Sequence, residues 1–221
     1  MRKVIGSVFL TLDGVMQAPG GPTEDPTGGF GHGGWLGGIF DEEAGAAIGA
    51  FFDRPYDLLL GRRTYDIFAA YWPYQTGDNA IMGDAFTAAG KHVLTRGGQD
   101  LPWANSHRLS GMDDVAALKA TDGPDLLIQG SSTLYPALLA AGLLDRLTLM
   151  SFPLVLGQGK RLFGDGTPAA SLRLVEHQVT SGGAVIATYE PNGPAPSGEI
   201  GPPATSDREA ARQQAMREGR W

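Results

Sequence analysis

The sequence predicts an α/β sandwich built on a mostly parallel sheet with an antiparallel edge. Three observations support this. Short apolar runs near residues 4–10, 57–60, 92–95 and 125–129 alternate with stretches of helical periodicity. A longer apolar run, Leu144 to Pro153, precedes two closing segments, Leu172 to Val179 and Ala184 to Tyr189, which flank Ser181-Gly182-Gly183 as a hairpin. The 221 residues suffice for one substantial domain, which would bury roughly 70% of the surface of its unfolded chain.

The first strand, Val4 to Leu10, is apolar enough to be central in the sheet, and Asp13-Gly14 marks the turn after it. A Gly/Pro-rich loop, Ala18 to Gly38, follows. From Asp41 to Phe52 the residues Ala44, Ala47, Ile48, Phe51 and Phe52 form one helical face. The second strand spans 57–60, and Thr64 is expected to cap a short helix carrying Tyr65, Phe68 and Ala69. Residues 81–88 read as a short helix, His92 to Thr95 as the third strand, and Met112 to Lys119 as a helix beginning after Ser110. Asp125 to Gln129 is the next strand, and Ser132 to Ala141 the helix leading to the run at 144–153. No internal repeat is visible. The segment "EPNGPAPSGEIGPPATSD" is a linker that cannot build a core. "DREAARQQAMREG" is helical in pattern, with Met216 its only large apolar side chain. These features divide the chain into a domain over 1–190 and a peripheral tail over 191–221.

Hydrophobic residues make up 42% of the chain, ordinary for a globular protein, and the net charge of -7 argues against a nucleic-acid-binding surface. With no cysteine, disulfides, thiol catalysis and thiolate metal sites are excluded. The four histidines, His32, His92, His107 and His177, are not spaced as metal ligands on one helix, so no metal is expected. The N-terminus lacks the pattern of a signal peptide and no apolar run reaches membrane-spanning length, so a cytoplasmic protein without membrane partners is expected.

Four junctions carry candidate chemistry. In "LLLGRRTYDIF" a buried strand breaks at Gly61 into Arg62, Arg63 and Thr64. A glycine followed by a helix N-terminus and guanidinium groups suits a phosphate; the alternative is a helix start with two solvated arginines. "HVLTRG" repeats strand, hydroxyl, arginine and glycine at Thr95 and Arg96. Ligands of open α/β sheets bind at that edge. "DLLIQGSSTLYPALLAAGLLD" offers strand, Gly130, Ser131, Ser132 and helix, a geometry that suits a diphosphate or a plain structural turn. In "FPLVLGQGKRLF", Gly157 and Gly159 permit a bend beside a ligand, and Lys160 and Arg161 would serve an anionic substrate or simply be solvated. No strand-to-helix junction carries the G-x-G-x-x-G fingerprint, and the Walker sequence is absent.

Together, "SVFLTLDGVM", "LLLGRRTYDIF", "HVLTRG", "LLIQGSSTLYPALLAAGLLDRLTL" and "PLVLGQGKRLF" resemble, in order, the dihydrofolate-reductase-like proteins. Within them the chain is most similar to the C-terminal reductase domain of the bifunctional bacterial riboflavin-biosynthesis protein, over Arg2 to about Tyr189. The resemblance implies a dihydrofolate-reductase-like three-layer sandwich that uses NADPH. It places Gly61, Arg62, Arg63 and Thr64 around the cofactor phosphates, with Arg62 on the 2′-phosphate. Thr95 and Arg96 fall on the adenosine side, and Gly130, Ser131 and Ser132 at the diphosphate. The expected reaction is hydride transfer to a small heterocyclic or ribosylamino-pyrimidine-like substrate; a regulatory module that binds NADPH without turnover is the alternative. The chain departs from the bifunctional enzyme in showing no deaminase domain or zinc-binding His/Cys signature, and in its long glycine-rich loop, which is either a lid or an insertion.

On the substrate side, Asp13 is the candidate catalytic group, with a raised pKa that lets it hold or relay a proton; otherwise it is a turn carboxylate. Trp35, Tyr71, Trp72 and Phe163 are candidates for a stacking wall or for rim packing. Gln129 can hydrogen-bond an amide edge, and Gly157 lies at the substrate bend. The resemblance also implies a homodimer, with apolar terminal strands as a symmetric contact unless Leu147, Leu149 and Met150 are interior. Trp221 is expected to dock on a neighbouring subunit.

Overall fold

The computed structural model describes residues 1–202 and 205–220; the expectation for Trp221 lies outside them. Eight strands form one sheet: β1 (Val4–Thr11), β2 (Tyr56–Gly61), β3 (Lys91–Leu94), β4 (Ser106–Leu109), β5 (Asp125–Gln129), β6 (Arg146–Phe152), β7 (Leu172–Val179) and β8 (Val185–Pro191). Their spatial order is β4-β3-β2-β5-β1-β6-β8-β7. The first six run parallel, and β8 pairs antiparallel with both β6 and β7. The helices are α1 (Glu42–Gly49), α2 (Arg62–Tyr71), α3 (Asp78–Ala88), α4 (Met112–Ala120), α5 (Leu134–Ala140) and α6 (Asp207–Arg217). No helix among the described residues is long and apolar enough to cross a membrane.

Alternation along the strands divides the core between two faces. Val4, Val8, Leu10, Leu59, Leu126, Ile128 and Leu147 pack against Val115 of α4 and Leu134, Tyr135 and Leu138 of α5. On the opposite face Leu58, Leu60, Val93 and Leu127 meet Tyr65 of α2 and Phe86 of α3. That layer continues across Met150, Phe152 and Ile186 to Ala44 of α1. The result is three layers, with α4 and α5 on one side and α1, α2 and α3 on the other.

Two expectations are corrected here. Strand β4 has no counterpart in the sequence reading: Ser-His-Arg-Leu is short and polar, and tertiary pairing with β3 makes it a strand. The Ala18–Gly38 loop is a packed unit rather than a lid. Phe30, Trp35 and Leu36 are buried against Phe152 and Met150, and Lys160 forms an ion pair with Asp25. Leu147 and Met150 are interior.

The edge of the sheet where the parallel strands begin is fastened by buried charges. Arg2 pairs with Asp57, whose carboxylate also accepts from the Gly90 N–H at 2.9 Å. Lys91 is fully buried, and its Nζ donates to the carbonyls of Phe86, Thr87 and Ala89 at 2.9, 2.7 and 2.6 Å. Those carbonyls form the negative end of α3, so the ammonium answers the helix dipole while sitting 4.6 Å from the centre of the Trp103 ring. Burial pushes its pKa down to about 8, which leaves it charged at neutral pH. Lys91→Met keeps most of the stem but strands three carbonyls, at a cost of about 2–4 kcal/mol. For a chain of this size that is a fall of roughly 5–15 °C in melting temperature. A calorimetric scan with the midpoint unmoved would show that the ammonium contributes nothing.

Candidate active site

Strands β2 and β5 are neighbours, yet their chains leave in opposite directions. From β2 the chain passes through α2 to β3; from β5 it passes through α5 to β6, beyond β1. Because α2 and α5 lie on opposite faces, a crevice opens at the C-terminal ends of the two strands, where open α/β sheets take their ligands. Gly61 is the extended N-cap of α2 and supplies no side-chain cap, leaving N–H groups of the first turn to face the crevice. Thr64 is therefore not the helix cap: the helix starts two residues earlier.

The Thr64 hydroxyl instead lies 2.7 Å from Ser131 Oγ, which also accepts the Gly61 N–H at 3.0 Å. A Cβ on Gly61 would run into the Ser131 side chain, with Ser131 Cβ at 2.9 Å. Gly130, at φ +98, lies against Thr64, and Ser131 itself is held at φ +78. The structure thus brings Gly61, Thr64, Gly130 and Ser131 into one junction, with Ser132 half-buried on the turn into α5.

The arginines divide into two kinds. Both Asp66 oxygens accept from Arg62 Nε at 2.9 Å, and Arg62 Nη1 donates to the carbonyls of Gln99 and Asp100 at 3.3 Å. Arg108 of β4 also reaches this loop, donating to the carbonyls of Gly97 and Gln99. Arg62 is thus a loop anchor, contrary to the expectation of a guanidinium available to a phosphate. Arg63 and Arg96 are exposed and, among the described residues, have no such partner. They follow Gly61 and Leu94, which are paired in register on adjacent strands. Thr95 is buried and its Oγ1 accepts from the Gly97 N–H at 3.2 Å, fixing the turn that presents Arg96.

At the exits of β1 and β6, Asp13 has more partners than a free acid would. Its Oδ1 accepts from Thr11 Oγ1 at 2.6 Å and the Leu156 N–H at 3.2 Å, and its Oδ2 from the Gly157 N–H at 2.9 Å. Arg161 lies 3.6 Å away. The Thr11 hydroxyl, seconded by the two backbone N–H groups, holds the carboxyl down to about 2. The expected raised pKa is thus reversed, because donors rather than apolar walls surround the group. Gln129 Nε2 donates to Ser7 Oγ at 2.8 Å on the neighbouring strand.

The aromatic wall does not assemble. Trp35 is core, its Nε1 donating to the Gln17 carbonyl at 2.9 Å and its ring against Phe152. Trp72 ends α2 and packs on Phe86, which also touches Tyr56 at the start of β2; that is the opposite edge of the sheet. Tyr71, beside it, is excluded for the same reason. Phe163 is exposed near the β1 exit, next to Leu162, whose N–H meets the Gly14 carbonyl at 3.1 Å. Sequence reading missed Asp66 and Arg108. The i,i+4 spacing of Arg62 and Asp66 was the available signal; nothing local marks Arg108.

Comparison with known proteins accords with this geometry. The family model described as RibD C-terminal domain matches residues 2–186. The uncharacterized protein YyaP of Bacillus subtilis is 26% identical over 198 residues, 87% of this chain and 96% of that protein. A putative riboflavin biosynthesis protein from Shewanella superposes with a TM-score of 0.64 at 22% identity, covering 86% of this chain and 99% of that one. A pyrimidine reductase-like protein from Corynebacterium diphtheriae gives 0.57 at 15% identity, covering 86% and 92%. Dihydrofolate reductase from Enterococcus faecalis, in complex with NADP(H), gives 0.53 at 14%, covering 86% and 96%. The fold is dihydrofolate-reductase-like.

The Asp13 clamp has a pH signature. Its folded-state pKa, about 2, lies below the ordinary 3.8, so its contribution is complete above the ordinary value and lost as pH falls through the folded one. Asp13→Asn should melt lower than wild type at pH 7, with the gap closing between about pH 4 and pH 2. A gap that stays constant across melts over this range would mean that the carboxylate charge is not what holds the two loops.

Proposed function

The chain belongs to the RibD C-terminal domain family, and we propose that it is an NADPH-dependent reductase of a small heterocyclic substrate, such as a ribosylamino-pyrimidine or a pterin. One observation carries the cofactor reading. In a chain of net charge -7, the strand exits of β2 and β3 present two arginines that have no partner among the described residues, near a helix N-terminus that no described side chain caps. Those groups suit a dinucleotide with an additional phosphate. Two structural neighbours, a pyrimidine reductase-like protein and a dihydrofolate reductase complexed with NADP(H), support the same reading.

In this proposal the glycines at 61 and 130 let backbone N–H groups approach the diphosphate, while Arg63 and Arg96 hold the 2′-phosphate. Arg62, Asp66 and Arg108 fix the 97–100 loop as the wall of the adenosine side. When bound there, NADPH would supply the hydride for reduction of a C=N or C=O bond. Asp13, held down to about 2 by the Thr11 hydroxyl and two backbone N–H groups, serves in this proposal as a group that shapes the rim.

The arginine roles separate by cofactor titration. Arg63→Ala and Arg96→Ala should each weaken NADPH roughly 10–100-fold, the loss of about 1.5–3 kcal/mol in charge-assisted hydrogen bonds, with NADH little changed. Arg62→Ala should weaken both cofactors alike, because it loosens the loop. Equal affinity of the wild type for the two cofactors would sink the reading.

We also propose a homodimer, formed through β7, since Leu147 and Met150 of β6 are interior. From Arg173 to Val179 that strand is exposed, its outer edge ends the sheet, and Leu174, Val175 and Val179 are apolar. An uncovered apolar edge strand is a natural pairing surface for a second copy. Light scattering should give twice the chain mass, and Val179→Lys with Leu174→Lys should reduce it to one; a single-chain mass for wild type at all concentrations defeats the dimer.

A further inference from the structure

Of the four histidines, His32, His107 and His177 are exposed, and His92 on β3 is buried at 9% exposure. Neither the crevice nor the Asp13 clamp uses it. Its Nε2 lies 3.3 Å from Asp57 Oδ2, the oxygen that also receives the Arg2 guanidinium. Asp57 Oδ1 accepts the Gly90 N–H at 2.9 Å. An ionised carboxylate only accepts, so the His92 proton sits on Nε2 and Nδ1 is bare. Among the described residues nothing hydrogen-bonds to Nδ1. The ring of His107, the register partner on β4, stacks on that of His92 with 5.3 Å between centres.

The groups facing His92 are thus Arg2 ahead of β1, Asp57 on β2 and His107 on β4. Of the charges on α4, Lys119 pairs with Asp145, and Asp114 accepts from the Ser110 N–H. Lys91 points to the other face of β3, toward α3. With His92 neutral, Arg2 and Asp57 cancel. A proton added at Nδ1 leaves one uncompensated positive charge in a buried cluster, and the new N–H has no acceptor. The cluster joins several segments. Arg2 Nε donates to the Pro124 carbonyl ahead of β5, Asp57 ties β2 to the turn before β3, and β4, the edge strand, pairs only with β3.

We propose that His92 is a pH-sensitive latch: neutral, it locks the entry ends of β1, β2 and β3 together, and protonated, it releases the edge pair β3–β4. This latch operates whether or not NADPH is the cofactor. Burial, seconded by Arg2 and His107 and opposed by Asp57, holds the imidazole below its ordinary 6.5. As pH falls, the unfolded chain takes up this proton first. The latch therefore contributes fully above 6.5 and is lost as pH falls through the lower folded value. Asp57 and Asp13 are depressed carboxylates, so their own losses fall below 3.8, in a separate window.

Histidine-labelled protein followed by NMR gives the His92 midpoint, and melts across the same pH range give the stability. His92 should titrate below 6.5 in the wild type. Arg2→Gln should raise that midpoint by about half a unit or more, because Asp57 is then left to the imidazolium alone. Between about pH 7.5 and about pH 5 the wild-type melting temperature should fall by about 3 °C or more. His92→Gln keeps an N–H for Asp57 and cannot titrate, so it should show less than half of that fall. An undiminished fall in His92→Gln overturns the latch, as does a His92 midpoint at or above 6.5 or one that Arg2→Gln leaves unmoved. The wild-type titration decides even where a variant does not fold.

Discussion

The crevice between β2 and β5 depends on one close approach between chains that leave the sheet in opposite directions. The Gly61 N–H donates to Ser131 Oγ at 3.0 Å, and the Thr64 hydroxyl completes the contact at 2.7 Å. Only a residue without a Cβ permits the first bond, and only a turn in the left-handed region brings the serine there. The bond fixes where α2 begins and hence where its uncapped N-terminus points. It also sets the floor of the crevice between β2 and β5. Any side chain at 61 would part the two exits.

Around that junction, charge is assigned to distinct tasks. Arg2, Lys91 and Lys119 are buried or nearly so and fasten the opposite edge and the helix ends, pairing with Asp57, three carbonyls and Asp145 respectively. Arg62 and Arg108 act on backbone carbonyls and so convert a loop containing Gly97 and Gly98 into a wall. At the exits of β2 and β3, Arg63 and Arg96 are exposed and have no partner among the described residues.

Much of the scaffold was legible in the sequence because its strands are buried runs and its helices carry apolar faces. The start of α2 was misplaced, since Thr64 has the chemistry of a cap while Gly61 has the position. Strand β4 was invisible because Ser106 to Leu109 has neither alternation nor bulk, and only β3 makes it a strand. Trp35 and Trp72 read as a stacking wall because aromatics near loops look alike in one dimension. In space one closes the core beneath the glycine-rich loop and the other lies at the far edge of the sheet. The candidate phosphate residues converged as their motifs suggested, but availability did not follow from identity. Arg62 and Arg63 are adjacent in sequence, and only the structure shows that one is already bound.

Asp13 is the residue whose meaning changes most between sequence and structure. A carboxylate surrounded by a hydroxyl, two backbone N–H groups and a guanidinium is a stable anion. Its job is to tie the β1 exit to the 156–161 segment, whose register is further set by the Val15–Arg161 bridge. The carboxylate and its donors thus couple the two exits as one unit.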